Sequence, residues 1–167
     1  MLIREKRIAD IPEFTLLVNE VWNETYRGIV ADEFLDNMNN TIDDRIKRQT
    51  DNFYEKDSYS YVLVDNDKLI GYTSVDKSRE EDYPNSGELS SLYLLKKYQG
   101  NGYGRMLFEY SLNKIKELGY SDYIIGCLDN NPTNEFYKKM GGKLYKQKNK
   151  KIGNKDYIEN YYIFEVK

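Results

Sequence analysis

Seven consecutive residues carry the clearest chemistry in this chain: Gln99-Gly100-Asn101-Gly102-Tyr103-Gly104-Arg105. They follow a strand-like run, Glu88 to Leu95, and open a helix-like run that Gly119 stops after Leu118. Three glycines within five positions let a ligand approach the backbone closely. Their N–H groups converge at the positive end of a helix dipole, an arrangement that suits a pyrophosphate. Arg105 adds a cation beside it. Glycine turns before helices also form for purely structural reasons. Two other phosphate motifs do not fit. A P-loop needs Lys-Ser/Thr after its glycines, and here Arg105-Met106 follow. The dinucleotide fingerprint is G-x-G-x-x-G, and this spacing is G-x-G-x-G.

Absences remove whole reaction classes. The 167 residues include no histidine. A Ser-His-Asp triad, a Cys-His pair and any His-ligated metal are therefore excluded. The single cysteine, Cys127, allows neither an internal disulfide nor a cysteine metal cluster. It sits in the apolar run Tyr123 to Leu128 and reads as a buried small hydrophobe. No metal site is expected. Hydrophobic residues make up 40% and charged residues 32%, the balance of a globular domain. Net charge is -3, unevenly spread: Lys138 to Lys155 holds eight lysines and no acid. That segment could meet phosphates but also suits a solvated hairpin. No apolar run is long enough to span a bilayer. Met1 to Arg7 lacks a signal-peptide core, so a cytoplasmic protein is expected.

The elements that must position the glycine turn read in order. Leu2 to Ile8 alternates as a strand. Asp10-Ile11-Pro12-Glu13 reads as a helix start, with Asp10 as cap and Glu13 completing a capping box. Ile11, Phe14, Val18, Val21 and Trp22 give that helix its apolar face, to about Gly28. A second helical region spans Asp32 to about Tyr54, broken near Asn39-Asn40 and restarted with Thr41 as cap. Strands at 59–64 and 69–75 flank the turn Asp65 to Lys68, and Lys77 to Ser86 is a loop. After the glycine helix come a strand, Asp122 to Leu128, and a short helix, Asn134 to Met140. A closing hairpin, 144–152 and 157–166, surrounds Gly153-Asn154. One domain, residues 1–167, with a mixed α/β sheet and one parallel pair beside the glycine turn, follows.

Leu92-Tyr93-Leu94 followed by Gln99 to Gly104 closely resembles the acetyl-CoA motif of the GNAT superfamily of N-acetyltransferases, Q/R-x-x-G-x-G/A after a strand. Asn130-Asn131-Pro132-Thr133-Asn134-Glu135-Phe136-Tyr137-Lys138-Lys139-Met140-Gly141-Gly142 is similar to its N-x-x-A-x-x-F-Y-x-x-x-G segment, with Thr133 where alanine is common. Val21 to Val30 resembles a Trp…Tyr-x-Gly-Ile stretch of many bacterial members. The resemblance implies a single-domain, mostly antiparallel sheet flanked by helices, with its parallel pair splayed at the acetyl-CoA site. It implies direct attack of a primary amine on acetyl-CoA in a ternary complex. Backbone groups of Leu92, Tyr93 and Leu94 would pair with the pantetheine arm, and an N–H near Leu94 would face the oxyanion. Amides of Gln99, Gly100, Asn101, Gly102, Tyr103, Gly104 and Arg105 would hold the pyrophosphate. Asn130 would bond the pantetheine chain, with neighbouring Asn131 the ambiguity in register.

Tyr137 matches the tyrosine that protonates the thiolate in this superfamily. A phenol of pKa about 10 and a thiol of about 8.5 are close enough to share a proton. Glu88 is the base candidate, since alternation would put Glu88, Ser90, Leu92 and Leu94 on one strand face. Its other reading is a salt bridge or a substrate-charge anchor. Tyr26 and Trp22 would line the acceptor pocket or pack in the core. A small amine is the expected acceptor. A protein or peptide amine, or a non-catalytic CoA-binding module, is the alternative. Nucleic acid is the weakest partner. The family's frequent dimers suggest a homodimer, for which Tyr157, Tyr161 and Tyr162 offer a surface.

Overall fold

The first strand is shorter than its pattern. In the computed structural model, which describes residues 1–55 and 59–166, β1 covers Leu2–Glu5 and Ile8–Asp10 forms a 3-10 turn. Helix α1, Ile11–Tyr26, then starts with Pro12 in its first turn. Asp10 does not cap it. That residue is itself αR, and its carboxylate grips the Arg4 guanidinium (2.6 and 2.8 Å) and the Arg7 N–H (2.7 Å). Glu13 completes no capping box either; it accepts the Leu69 N–H at 2.8 Å. Asp10 serves the nearby Arg4 and Arg7, and Glu13 serves a strand 56 residues further on, so neither carboxylate caps α1.

Helices α2 (Asp32–Asn40) and α3 (Ile42–Asp51) break where expected, and Thr41 holds the N-cap position of α3, its carbonyl accepting the Arg45 N–H at 3.0 Å, but its side chain makes no capping bond. Its hydroxyl turns back to the Asn37 carbonyl at 2.9 Å. Strands β2 (Tyr59–Asp65) and β3 (Lys68–Lys77) meet at a two-residue turn, Asn66-Asp67, both left-handed. Such primed turns match strand twist. Then follow β4 (Gly87–Leu94), α4 (Tyr103–Glu117), β5 (Asp122–Leu128), α5 (Thr133–Lys139), β6 (Lys143–Ile152) and β7 (Lys155–Glu165).

Among the described residues the strands form one sheet, β1-β2-β3-β4-β5-β7-β6. Every pairing is antiparallel except β4 with β5. That parallel pair registers only at Gly87–Tyr123 and Glu88–Ile124. Both strands run on, to Leu94 and Leu128, so they part. Helix α1 packs one face, with Phe14 edge-on to Tyr72 at 4.9 Å. Helix α4 packs the other, with Leu107 over Gly71 and Ser111 bonded to Thr73 at 2.7 Å. Tyr161 and Tyr162 of the last strand are buried within the chain (9% and 1% exposed), and the Tyr157 phenol accepts the Ala31 N–H. Tyr161 and Tyr162 therefore offer no outward surface for a second copy.

A bulge in β4 changes which side chains share a face. Val75 pairs with Leu89 and Ser74 with Ser91, so Ser90 is the extra residue. Leu92 and Leu94 lie opposite Thr73 and Gly71, on the α4 side. Glu88 lies opposite Asp76, which Ser90 bonds, on the other side. The expected single face of Glu88, Ser90, Leu92 and Leu94 is thus split, because one inserted residue inverts the alternation.

Candidate active site

The parted strands open a cleft of about 520 Å³. One wall is β4 from Leu89 to Leu94; the other is Gly126 and Cys127 of β5 with the turn into α5. Tyr26 closes one end, and the glycine turn closes the other.

The glycine turn is built for a close ligand. Gly100 and Gly102 are left-handed, with φ of 79° and 83°. A Cβ on Gly102 or Gly104 would meet nothing within 4 Å, so each cradle lies open. Gln99 is braced by its side-chain N–H to the Leu94 carbonyl at 3.0 Å. The first intrahelical bond of α4 runs from the Met106 N–H to the Gly102 carbonyl. The Gln99 N–H is already spent on the Lys96 carbonyl at 3.1 Å, so it is not an anion donor as expected; the N–H groups from Gly100 to Arg105 lie outside that ladder, available to an anion. Gln99, Gly100, Gly102, Gly104 and Arg105 border the cleft. The Asn101 side chain turns away, to the carbonyls of Tyr98 and Gln99, and Tyr103 packs in the core. This donor set and open cradle fit the pyrophosphate of a CoA.

Tyr137 reaches the cleft from α5 and is 5% exposed. Burial, then Cys127 and Tyr26, push its phenol far above the usual range, so it stays protonated. Burial also pushes the Cys127 thiol up to about 12, which keeps it neutral and unreactive. The Tyr26 hydroxyl pairs with that of Tyr93 at 2.8 Å, and burial pushes the Tyr26 phenol up to about 12. Trp22 stacks behind this pair, 4.8 Å from Tyr26, and does not border the cleft.

Besides Trp22, Asn101 and Tyr103, two more expected residues stand apart from the cleft. Asn130 is exposed and outside the cleft, whereas Asn131 is 6% exposed and lines it. Glu88 lies outside the lining, held by three N–H donors of Arg79 at 2.8 to 3.2 Å. Its salt-bridge reading is the one realised.

Sequence reasoning missed Glu159 and Ser91. The Glu159 carboxylate lies over Gly126, where a Cβ would come within 2.8 Å of Oε1. It accepts the Tyr161 phenol at 2.6 Å and faces Lys150 at 3.4 Å. Glycine inside the strand pattern at 126 was the available signal. Ser91 lines the cleft, and its buried hydroxyl has no partner among the described residues. No local pattern marks that residue.

The acetyltransferase (GNAT) family profile matches residues 17–142. An uncharacterized N-acetyltransferase, YuaI of Bacillus subtilis, is 25% identical over 139 residues, covering 81% of this chain and 76% of that one. N-alpha-acetyltransferase 30 of Schizosaccharomyces pombe is 28% identical over 90 residues, 53% and 60% of the two chains. The fold is similar to PaiA N-acetyltransferase of Thermoplasma acidophilum in complex with coenzyme A. The TM-score is 0.74 at 21% identity, covering 95% and 96% of the two chains. Profile, motifs and splayed sheet agree: the chain belongs to the acetyltransferase (GNAT) family.

Proposed function

We propose that this acetyltransferase uses acetyl-CoA and delivers the acetyl group to a primary amine of a small molecule. The parting of β4 from β5 beside an open glycine turn is the observation that carries the reading. Peptide groups of Leu92, Tyr93 and Leu94 take the pantetheine arm as an added strand. The glycine turn and Arg105 take the pyrophosphate, and Asn131 rather than Asn130 meets the arm from the other wall.

The amine nitrogen attacks the thioester carbonyl carbon. A C–N bond forms, the C–S bond breaks and the sulfur leaves as thiolate. Tyr137, kept protonated by burial, gives that thiolate its proton. The proton that the nitrogen gives up passes, through water, to the Glu159 carboxylate, which lies over Gly126. Tyr26 and Tyr93 shape the acceptor end.

One contact set favours a small acceptor over a peptide. The β6–β7 hairpin packs onto the α1–α2 region: Gly153 sits against Phe34, and Tyr157 takes the Ala31 N–H at 2.9 Å. This bridge joins the hairpin to the α1–α2 region, which favours a compact acceptor over an extended one. The test is a mass-spectrometric screen of small amines and peptides with acetyl-CoA. Acetylated small amines support the reading. Acetylated peptides alone would refute the small acceptor, and tight acetyl-CoA binding without any product would refute catalysis.

A further inference from the structure

Behind the cleft lies a chain of buried amides that the transfer chemistry leaves unused. Asn134 and Asn160 are 6% and 5% exposed, and neither lines the cleft. Burying an amide is costly unless its donors and acceptor find partners. Here they do. Asn134 Nδ2 donates to the carbonyls of Leu128 (2.8 Å), Asn131 (2.7 Å) and Asp129 (3.1 Å). Asn134 Oδ1 accepts from Asn160 Nδ2 at 3.1 Å and from the Tyr162 phenol at 2.9 Å. Asn160 Nδ2 also donates to Asp129 Oδ1 at 3.0 Å, and its Oδ1 accepts from Gln147 Nε2 at 2.7 Å.

One side chain thus gathers three carbonyls of the turn between β5 and α5. That turn lies between the end of β5 at Leu128 and the start of α5 at Thr133, and two backbone bonds guide it, from the Asp129 N–H to the Ile158 carbonyl and from the Asn131 N–H to the Leu128 carbonyl, each at 2.9 Å. Asn134 holds it, and β7 orients Asn134. Inside the turn, Asn131 is pinned further: its Oδ1 accepts the Thr133 N–H at 2.9 Å. Five residues further along α5 from Pro132 stands Tyr137.

We propose that Asn160, acting through Asn134, is a positioning residue for the pantetheine arm of the bound cofactor: from β7 it fixes the turn that carries Asn131 and starts the helix of Tyr137. The proposal rests on the acetyl-CoA reading above. It makes a division that a stability role does not. The pyrophosphate wall belongs to the glycine turn and α4, which share none of these bonds. Disturbing Asn160 therefore weakens the hold on the arm and leaves the hold on the nucleotide end intact.

The experiment compares two ligands on Asn160→Ala and on the gentler Tyr162→Phe, which removes one donor to Asn134. Calorimetry gives the acetyl-CoA affinity. Competition gives that of 3′-phosphoadenosine 5′-diphosphate, which has the nucleotide end of CoA without the arm. In Asn160→Ala, acetyl-CoA weakens about tenfold, as when support behind a ligand-contacting group is lost. The nucleotide fragment stays unchanged. Tyr162→Phe shifts the same way by less, and decides the matter should Asn160→Ala fail to fold. Equal weakening of both ligands, or of neither, in the folded variants overturns the positioning role. A fragment that does not compete in the wild type also overturns it, because the two walls are then not separable. Wild type that binds no acetyl-CoA instead refutes the underlying reading.

Discussion

Replacing Tyr137 with phenylalanine removes one oxygen and keeps the ring. The ring is what the fold uses: it packs on Phe136 and Tyr162 with centroids at 5.6 and 6.2 Å. Stability should therefore change by no more than about 1 kcal/mol, the net worth of a typical hydroxyl contact. Turnover should fall much further. A positioned general acid contributes roughly 10²- to 10⁴-fold. Burial places Tyr137 at the low end of that range. Its phenol is raised well above 10, while a thiol leaves with a pKa of about 8.5, so the proton moves uphill. We expect kcat to drop about 10²-fold, close to 3 kcal/mol of barrier, with acetyl-CoA affinity nearly unchanged. Thiol release in the presence of an amine found by the screen reads the loss. The raised phenol also sets the sign of the pH effect. The protonated, active form persists to higher pH, so Tyr137 imposes no falling limb up to about pH 10. A phenylalanine variant that turns over within threefold of wild type would refute the acid role, and an alkaline limb that vanishes with the substitution would refute the burial argument.

Three further outcomes follow from other parts of the chain. Gly102→Glu puts a carboxylate in the open cradle and strains a left-handed position by roughly 1–2 kcal/mol; calorimetry should find acetyl-CoA binding abolished in a protein that still folds. Glu159→Gln should lower kcat with the amine at least about tenfold while leaving the KM for acetyl-CoA alone, and Glu88→Gln should do neither; the reverse pattern would return the base role to Glu88. Asp10, held below the usual carboxylate range chiefly by its Arg4 hydrogen bond, stabilises the fold above about pH 4 and loses that contribution as acid titrates it. Denaturant titration should show Asp10→Asn less stable by roughly 1.5–3 kcal/mol at pH 7, with the gap closing below pH 4.

The architecture was legible because apolar periodicity is local. Ile11, Phe14 and Val21 announce α1, and the glycine turn announces both a strand's end and a helix's start. What was not legible depends on partners and register that no local propensity specifies. Asp10 looks like a cap until Arg4 takes its carboxylate. Glu-Leu-Ser-Ser-Leu alternates plausibly in either frame, so nothing local reveals the bulge at Ser90 that separates Glu88 from Leu92. Asn130 and Asn131 are chemically identical, and only the fold of the turn sends the second inward. Glu159 comes to lie over Gly126, a wall of the cleft, because β7 runs beside β5, a register no single segment encodes.

The lysine run of the C-terminal third acquires a different meaning from its place in the sheet. Strand β6 is an outer strand, and its sequence, KLYKQKNKKI, puts five lysines on it. An outer strand presents unpaired peptide groups that another chain can extend. Exposed Leu144 and Ile158 on this hairpin would add a greasy grip to such an encounter. Closely spaced ammonium groups make the approach of a second identical edge repulsive, so the run guards against self-assembly. Its cost is small because several of the lysines are tethered inward, Lys146 and Lys148 to Glu80 and Lys150 to Glu159. A chain stripped of these charges would keep its cleft and leave that edge open to extension, which separates the pressure on β6 from the pressure on the site.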